Sequence, residues 1–468
     1  MKQLISRRSF LKAAGVTAAA ASMAIGAPAA SACWYGDKSD VTILYTNDVH
    51  TYIDKQSPKL TYAAIADLKQ SYQNAGKDVL LVDAGDHVQG TAYGSMDEGA
   101  SIIKLMNAAG YDVATPGNHE FDYGMDRAKA IMKEADFPYL SCNWVDLRTT
   151  LRVLPSVKVF VRGGRRIAFV GVTTPETFTK STPAYFMDKA QRKYIYDIQG
   201  GEDGKKLYDA VQKAIDKAKL LADVVIGLGH LGVDPSSSPW TSEEVIANTT
   251  GFDAFIDGHS HSVMEKGDNN EPIQSTGTAF ENVGVIVIDN ATKKIEKNML
   301  VKVTEDSAKD EAVAKAAQDI TDAINAEYGA VFAKSEVELN GDRSYSSKTD
   351  LYGNRDGETN LGNLITDSMV WSVKKTGGVT VDEKNIVAVT NGGGIRAAIK
   401  AGDVTKKDVN TVLPFGNTIA VVYVTGAELL EALEASTYCS PDSAIGGFPQ
   451  VSGINYTVDA SKAYDLSL

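Results

Sequence analysis

Val79-Leu80-Leu81-Val82-Asp83-Ala84-Gly85-Asp86-His87 sets four consecutive apolar residues directly ahead of a glycine turn that carries an acid and an imidazole. An apolar run this short, closed by a turn signal, reads as a buried strand. The same phrase recurs along the chain. Val41-Thr42-Ile43-Leu44-Tyr45 precedes Asp48-Val49-His50, Val224-Val225-Ile226 precedes Gly229-His230, and Phe252-Asp253-Ala254-Phe255-Ile256 precedes Gly258-His259-Ser260-His261. Ile167-Ala168-Phe169-Val170 also runs into a loop, and Gly117-Asn118-His119-Glu120-Phe121-Asp122 supplies a further polar segment. Each of the 6 histidines in the chain falls in one of these motifs. Open α/β sheets place their ligands beyond the carboxyl ends of the strands, so residues far apart in sequence are expected to converge on one edge.

The residue types point to phosphate-ester hydrolysis. That reaction needs a nucleophile at neutral pH and neutralisation of an anionic phosphoryl group, and two divalent ions about 3.5–4 Å apart supply both. Asp86 is the best candidate for a bridging carboxylate. Asp48, His50 and His261 complete one site, and Asn118, His230 and His259 complete the other. Mixed nitrogen and oxygen ligation without thiolate suits two divalent ions such as Zn, Mn or Co. His119 and Asp122 lie three apart beside Asn118. His119 is expected to stabilise negative charge on the phosphoryl group or leaving oxygen, with Asp122 fixing its tautomer. His87 is expected to be structural despite its place beside Asp86, and Asp83 is expected to be structural or to stand behind the ligands.

The 468 residues exceed one ordinary core, so two domains are expected. A hydrophobic share of 43% and a charged share of 23% are those of a globular protein. Ser6-Arg7-Arg8-Ser9-Phe10-Leu11-Lys12, the alanine-rich stretch after it and Ala30-Ser31-Ala32 form a twin-arginine export signal over residues 1–32, with a periplasmic or cell-surface destination. Loss of its four cations takes the formal charge from −13 to −17. That acidity argues against a nucleic-acid polymer as partner. No later apolar run is long enough to span a bilayer, which leaves lipidation of Cys33 as the one route to a membrane. Three cysteines make no disulfide framework, and Cys142 and Cys439 are expected to be free thiols.

Apolar positions Val313, Ala317, Ile320 and Ile324 recur at helical spacing inside a charged, alanine-rich segment. This predicts one amphipathic helix, read as a connector over residues 304–336 between a catalytic domain at 40–303 and a second domain at 337–468.

Tyr111 to Tyr123 closely matches the signature of the 5′-nucleotidase family, and the N-terminal half resembles the metallophosphoesterases. The resemblance runs from about Asp40 to the chain end and includes motifs of both domains. It implies a four-layer α/β/β/α metallophosphoesterase domain joined by a helix to a smaller α/β substrate-binding domain. It also implies that Asp48, His50, Asp86, Asn118, His230, His259 and His261 carry over as metal ligands, with His261 standing where some relatives have an amide. Arg355, Asn391 and Arg396 then match positions that hold the nucleotide, Phe415 an aromatic that stacks on the base, and Asn417 a polar residue beside it. The chain ends at Leu468 before the family's second aromatic and its Gly-Gly-Asp-Gly-type segment, so the nucleotide-binding domain is expected to be incomplete.

The resulting expectation is an exported 5′-nucleotidase that hydrolyses nucleoside 5′-monophosphates, and nucleotide sugars among wider substrates. One rival is a 2′,3′-cyclic-nucleotide phosphodiesterase with 3′-nucleotidase activity, a branch that tends to carry Asn where this chain has Asp122. The other is a non-catalytic surface-binding protein that retains the fold, and the full ligand set argues against it. Export is checked by replacing both arginines of the signal. Arg7→Lys with Arg8→Lys is expected to leave the chain in the cytoplasm, as fractionation would report, whereas undiminished translocation would refute the twin-arginine reading.

Overall fold

The computed structural model describes residues 4–5, 40–53, 61–188, 190–303, 308–347, 349–440 and 443–462. The expectations for cleavage after Ala32 and for lipidation of Cys33 lie outside the described residues. The chain divides into two compact units, Met1–Gln89 with Met96–Asp322 and Gly90–Ser95 with Ala323–Leu468.

The main elements of the first unit, in chain order, are β1 (Val41–Thr46), α1 (Tyr62–Asn74), β2 (Asp78–Asp83), α2 (Ala100–Ala109), β3 (Val113–Ala114), α3 (Met125–Glu134), β4 (Val157–Arg162), β5 (Arg165–Thr173), α4 (Lys205–Lys219), β6 (Val224–His230), β7 (Ala254–Ile256), β8 (Val263–Met264), β9 (Ile273–Thr276), β10 (Val283–Ile288) and β11 (Ile295–Val303). One sheet has the order β11-β10-β1-β2-β3, with Leu4–Ile5 pairing at the β11 edge. The other has the order β8-β9-β7-β6-β5-β4.

Side-chain alternation explains how the sheets stack. Val41, Ile43 and Tyr45 of β1 and Leu80 and Val82 of β2 share one core with Ile167 and Phe169 of β5 and Val224, Ile226 and Leu228 of β6. The alternate residues on β5 and β6, namely Ala168, Val170, Val172 and Val225, point the other way and pack with Leu207, Val211, Ala214, Ile215 and Ala218 of α4. Those α4 positions recur every three or four residues, as one helix face requires. Helix α1 packs on both β2 and α2. Strands apolar on both faces thus lie between helix layers, which is why they read as continuous apolar runs. The expected α/β/β/α layering is the architecture of this unit. Strands β10 and β11, which no polar motif follows, extend the first sheet, β10 pairing antiparallel to β1 and β11 antiparallel to β10.

Helix α5 (Glu311–Tyr328) contains the point of division between the units. The second unit adds β12 (Val331–Ser335), α6 (Asn360–Thr376), β13 (Ala388–Asn391), β14 (Gly402–Thr405), α7 (Lys406–Val412), α8 (Gly426–Thr437) and β15 (Pro449–Ser452). Strand β12 pairs with β14 and β13 with β15, both antiparallel. Thr405 with Asp408 and Thr425 with Glu428 form capping boxes that start α7 and α8 by satisfying free backbone N–H groups. Leu361, Ile365, Ile395, Ile399, Val404 and Val412 make its core. Among the described residues no helix is long and apolar enough to cross a membrane.

The register of β10 against β1 sets Gly284 opposite Tyr45, whose ring is fully buried. A Cβ on Gly284 would fall 1.8 Å from Tyr45 Cζ. Gly284→Ala is therefore expected to destabilise the fold by about 1–3 kcal/mol through overpacking. A lowered thermal midpoint checks this, and an unchanged one would mean that the sheets can part without cost.

Candidate metal centre

Parallel pairing brings the strand ends level. Thr46 is in register with Asp83, Asp83 with Ala114, and in the second sheet His230 with Thr173 and Leu228 with Ile256. The motifs leave from these ends, so Asp48, Asp86, Asn118, His230 and His259 all start within a few residues of one edge of the sandwich. Three overlapping groups of potential ligands result: Asp48 with His50 and His261, His50 with Asp86 and His119, and Asp86 with His230 and His259.

Asp86 ties the groups together. Its Oδ2 lies 3.0 Å from His230 Nε2, 3.9 Å from His119 Nε2 and 4.0 Å from His50 Nε2. Asp48 Oδ1 lies 3.3 Å from His261 Nε2 and 3.8 Å from the Nε2 atoms of both His50 and His230. His50 Nε2 and His261 Nε2 are 3.0 Å apart.

The rings are held from behind. His50 Nδ1 donates to the Gln89 carbonyl at 2.9 Å and His230 Nδ1 to the Ala84 carbonyl at 2.6 Å. In its neutral form each ring then presents a bare Nε2 to the cluster. His119 Nδ1 lies 2.6 Å from Asp122 Oδ2, so its Nε2 also faces inward.

Divalent cations fit this donor set. His230 Nε2 and Asn118 Oδ1 are buried and make no hydrogen bond of acceptable geometry, although His230 Nε2 is close to Asp86. Short approach without hydrogen-bond alignment is how two ligands of one ion stand to each other. Burial opposes charge on Asp86, yet His230 and His119 outweigh it and hold the carboxyl well below the usual range. Burial also opposes charge on His230, and the carboxylates of Asp86 and Asp48 more than reverse this and raise it.

Convergence of the loops costs backbone strain. Asp48, His50, Asp86, His259 and His261 have φ values of 49°, 49°, 58°, 77° and 56°. Left-handed backbone at residues other than glycine costs of order 1–3 kcal/mol each and persists only where surroundings enforce it. Glu120 does much of the enforcing. Its Oε2 accepts from the backbone N–H of Gly117 at 2.6 Å and of Asp86 at 2.9 Å, and its Oε1 from those of His87 at 2.9 Å and Val88 at 3.3 Å. Gly117 is required where these loops meet, since a Cβ there would fall 2.2 Å from Asp86 Oδ1.

His87 stands apart from these groups. Its Nδ1 is 2.7 Å from Asp83 Oδ1 and its Nε2 is 2.6 Å from the Tyr139 hydroxyl. Burial would lower its pKa, but Glu120 and Asp83 hold it up at about 9. His87 is a buried ion-pair partner beneath the site. Two carboxylates escaped the reading of the sequence, Glu120 as a loop clamp and Glu176 as a partner of His259. Glu176 Oε2 lies 2.7 Å from His259 Nε2. Burial would raise the Glu176 pKa, and the bond from His259 with its charge and that of Lys180 bring it down to about 2. Its one available signal was position, three residues beyond the end of β5.

In the second unit, Asn391 Nδ2 donates to the Gly446 carbonyl at 3.2 Å and Arg396 Nη1 to the Gly393 carbonyl at 3.5 Å. Gly393 N donates to Gly446 O at 2.8 Å, and the Arg355 carbonyl accepts from Ile445 N. The Arg396 guanidinium lies 5.7 Å from the centre of the Phe415 ring. Arg355, Asn391 and Arg396 therefore flank one pair of glycine turns, with Phe415 beside Arg396. Exposed Asn417 lines, with Asn391, a mainly apolar cavity of about 960 Å³.

Residues 41–263 match the calcineurin-like phosphoesterase family model, and residues 331–466 match that of the 5′-nucleotidase C-terminal domain. The chain belongs to the 5′-nucleotidase family of metallophosphoesterases. As a member it is a metal-dependent phosphoester hydrolase. Residues 4–24 match the twin-arginine translocation signal, which supports export by that route. A 5′-nucleotidase of Vibrio cholerae is 28% identical over 100% of this chain and 87% of its own length. The trifunctional nucleotide phosphoesterase YfkN of Bacillus subtilis is 30% identical over 89% of this chain, which spans 29% of that protein's length. Among solved structures, a 5′-nucleotidase precursor from Thermus thermophilus superposes with a TM-score of 0.73 at 27% identity, covering 91% of this chain and 83% of that one. In the 5′-nucleotidase family fold, the clustered His and Asp side chains are the groups suited to the divalent metal that family membership implies.

Proposed function

We propose that this chain is an exported, periplasmic or cell-surface 5′-nucleotidase that binds two divalent cations and converts nucleoside 5′-monophosphates to nucleoside and phosphate. The observation that carries the reading is Asp86, whose carboxylate is common to two groups of potential ligands, one containing His50 and the other His230 and His259. When bound, the cations neutralise the phosphoryl charge and bring a water to a pKa near about 7. Asp48, His50, Asp86 and His261 would hold one ion, and Asp86, Asn118, His230 and His259 the other.

The remaining chemistry belongs to the protein. A water oxygen attacks phosphorus as the bond to the 5′ oxygen breaks, and negative charge grows on the phosphoryl and leaving oxygens. His119, oriented through Nδ1 by Asp122, offers Nε2–H to that charge when protonated, and its side chain keeps 11% of its surface exposed while that of His230 has none. Substrate can therefore reach His119. In the second unit Arg355, Asn391 and Arg396 would bind the polar part of the nucleotide through charged and neutral hydrogen bonds. Phe415 would stack on the base, worth about 1–3 kcal/mol, and Asn417 would lie beside it. The family matches over both units and the 5′-nucleotidases among the relatives support this reading.

The test is phosphate release with manganese or zinc from 5′-AMP, 3′-AMP, 2′,3′-cyclic AMP and a simple aryl phosphate. A preference for 5′-AMP over the aryl ester of at least about tenfold, roughly one stacked base, is expected. Equal turnover of the two would remove the nucleotide from the reading, and preference for the cyclic or 3′ ester would favour the phosphodiesterase branch.

His119→Ala is expected to lower kcat by about 100–1,000-fold, the scale of one lost charge-stabilising donor. Metal content by elemental analysis should stay that of the parent. Unchanged turnover would remove His119 from the chemistry.

A further inference from the structure

We propose that Glu176 is a positioning residue for one cation site: it holds His259 in the Nε2–H tautomer, so that His259 meets its cation through Nδ1. This rests on the two-cation reading above. Glu176 lies in the turn that leaves β5, away from every histidine motif in the sequence, yet it is buried against the cluster. Its Oε2 receives two donors, His259 Nε2 at 2.7 Å and Ser237 Oγ at 2.6 Å. Its Oε1 lies 3.4 Å from Lys180 Nζ, a side chain 43% exposed that water can solvate as readily. A carboxylate is buried at a cost that only strong partners offset, and the convergence on Oε2 identifies His259 and Ser237 as those partners.

The polarity of His259 is opposite to that of its neighbours. His50 and His230 give Nδ1 to backbone carbonyls and turn Nε2 toward the carboxylates. His259 gives Nε2 to Glu176, which leaves Nδ1 as the nitrogen it can offer within the group it forms with Asp86 and His230. A carboxylate behind the ring also makes the opposite nitrogen more basic, whereas a carbonyl does so weakly. Glu176 touches none of the Asp48, His50 and His261 group among the described contacts, so its influence should be confined to the site containing His230 and His259.

The experiment is calorimetric titration of the full chain with Mn²⁺, for the parent, Glu176→Gln and Ser237→Ala, alongside thermal melts of the metal-free proteins. Glu176→Gln keeps the size and an acceptor but removes the charge, and should weaken one of the two binding steps about 10–100-fold. The other step should stay within about threefold. Ser237→Ala, which loosens Glu176 without touching a ligand, should weaken the same step by about 2–10-fold. Metal-free melting temperatures that match the parent show that both variants fold. Two unaffected steps, or two steps weakened equally, would overturn the assignment. A parent chain that takes up fewer than two ions would overturn the two-cation reading itself, and this assignment with it.

Discussion

The electrostatic problem at Asp86 governs the rest of the first unit. A carboxylate 2% exposed stands within 4.0 Å of three imidazole nitrogens, and a second carboxylate, Asp48, shares His50 and His230 with it. No pair of packed apolar surfaces would bring these groups together, because taking them out of water is unfavourable unless each finds a partner. The sandwich core has to supply the excess. Strands buried on both faces contribute about 1.5–3 kcal/mol for each large apolar side chain removed from water. Residues such as Ile43, Leu80, Phe169 and Ile226, all fully buried, lie midway along the strands from whose ends the polar loops depart. The rigidity of that core lets five non-glycine residues of the cluster remain in left-handed backbone.

A second tier of carboxylates converts core rigidity into loop geometry. Glu120 gathers four backbone N–H groups from two loops, and Asp83 accepts from Thr46 Oγ1, Gly85 N and the His87 ring. His87 closes this layer by bridging the two acids and Tyr139. Its proton is held there by Asp83 and Glu120, so the imidazole nearest in sequence to Asp86 serves as a counter-charge below the site.

How much of this the sequence disclosed follows from which interactions have a period. Apolar runs ending in Asp or His were legible at β1, β2, β6 and β7, and the run of β5 with them, because a strand buried on both faces leaves an uninterrupted signature. The layering and the convergence of the motifs follow from that alone. Strand β10 carries the same kind of run but ends in no chemistry, so no motif marks it. Glu120 sits inside the Asn118-His119 motif, yet nothing in Gly-Asn-His-Glu says that the acid accepts backbone N–H groups from a loop more than thirty residues earlier. Glu176 had less still, a single acid after Pro175 in an ordinary turn. Partners that act through one long-range hydrogen bond have no periodicity to betray them. Arg355, Asn391, Arg396, Phe415 and Asn417 are singled out in the second unit only by the resemblance, since Arg and Phe in loops carry no local signal of a ligand.

The histidine tautomers of the cluster are fixed by different kinds of acceptor. A backbone carbonyl behind His50 or His230 is set by the fold and cannot be removed by substitution of Gln89 or Ala84, because the acceptor is main chain. The carboxylate behind His259 is a side chain, and it can be lost or exchanged while the strands stay as they are. The groups of potential ligands that share Asp86 therefore differ in how firmly their geometry is written into the backbone. The group containing His50 takes the orientation of that ring from the main chain, whereas the group containing His230 and His259 takes one ring from the main chain and the other from Glu176 and, through Ser237, from the segment from residue 235 to 238. On the two-cation reading proposed above, metal preference at the group containing His259 would then respond to substitutions that leave every ligand in place.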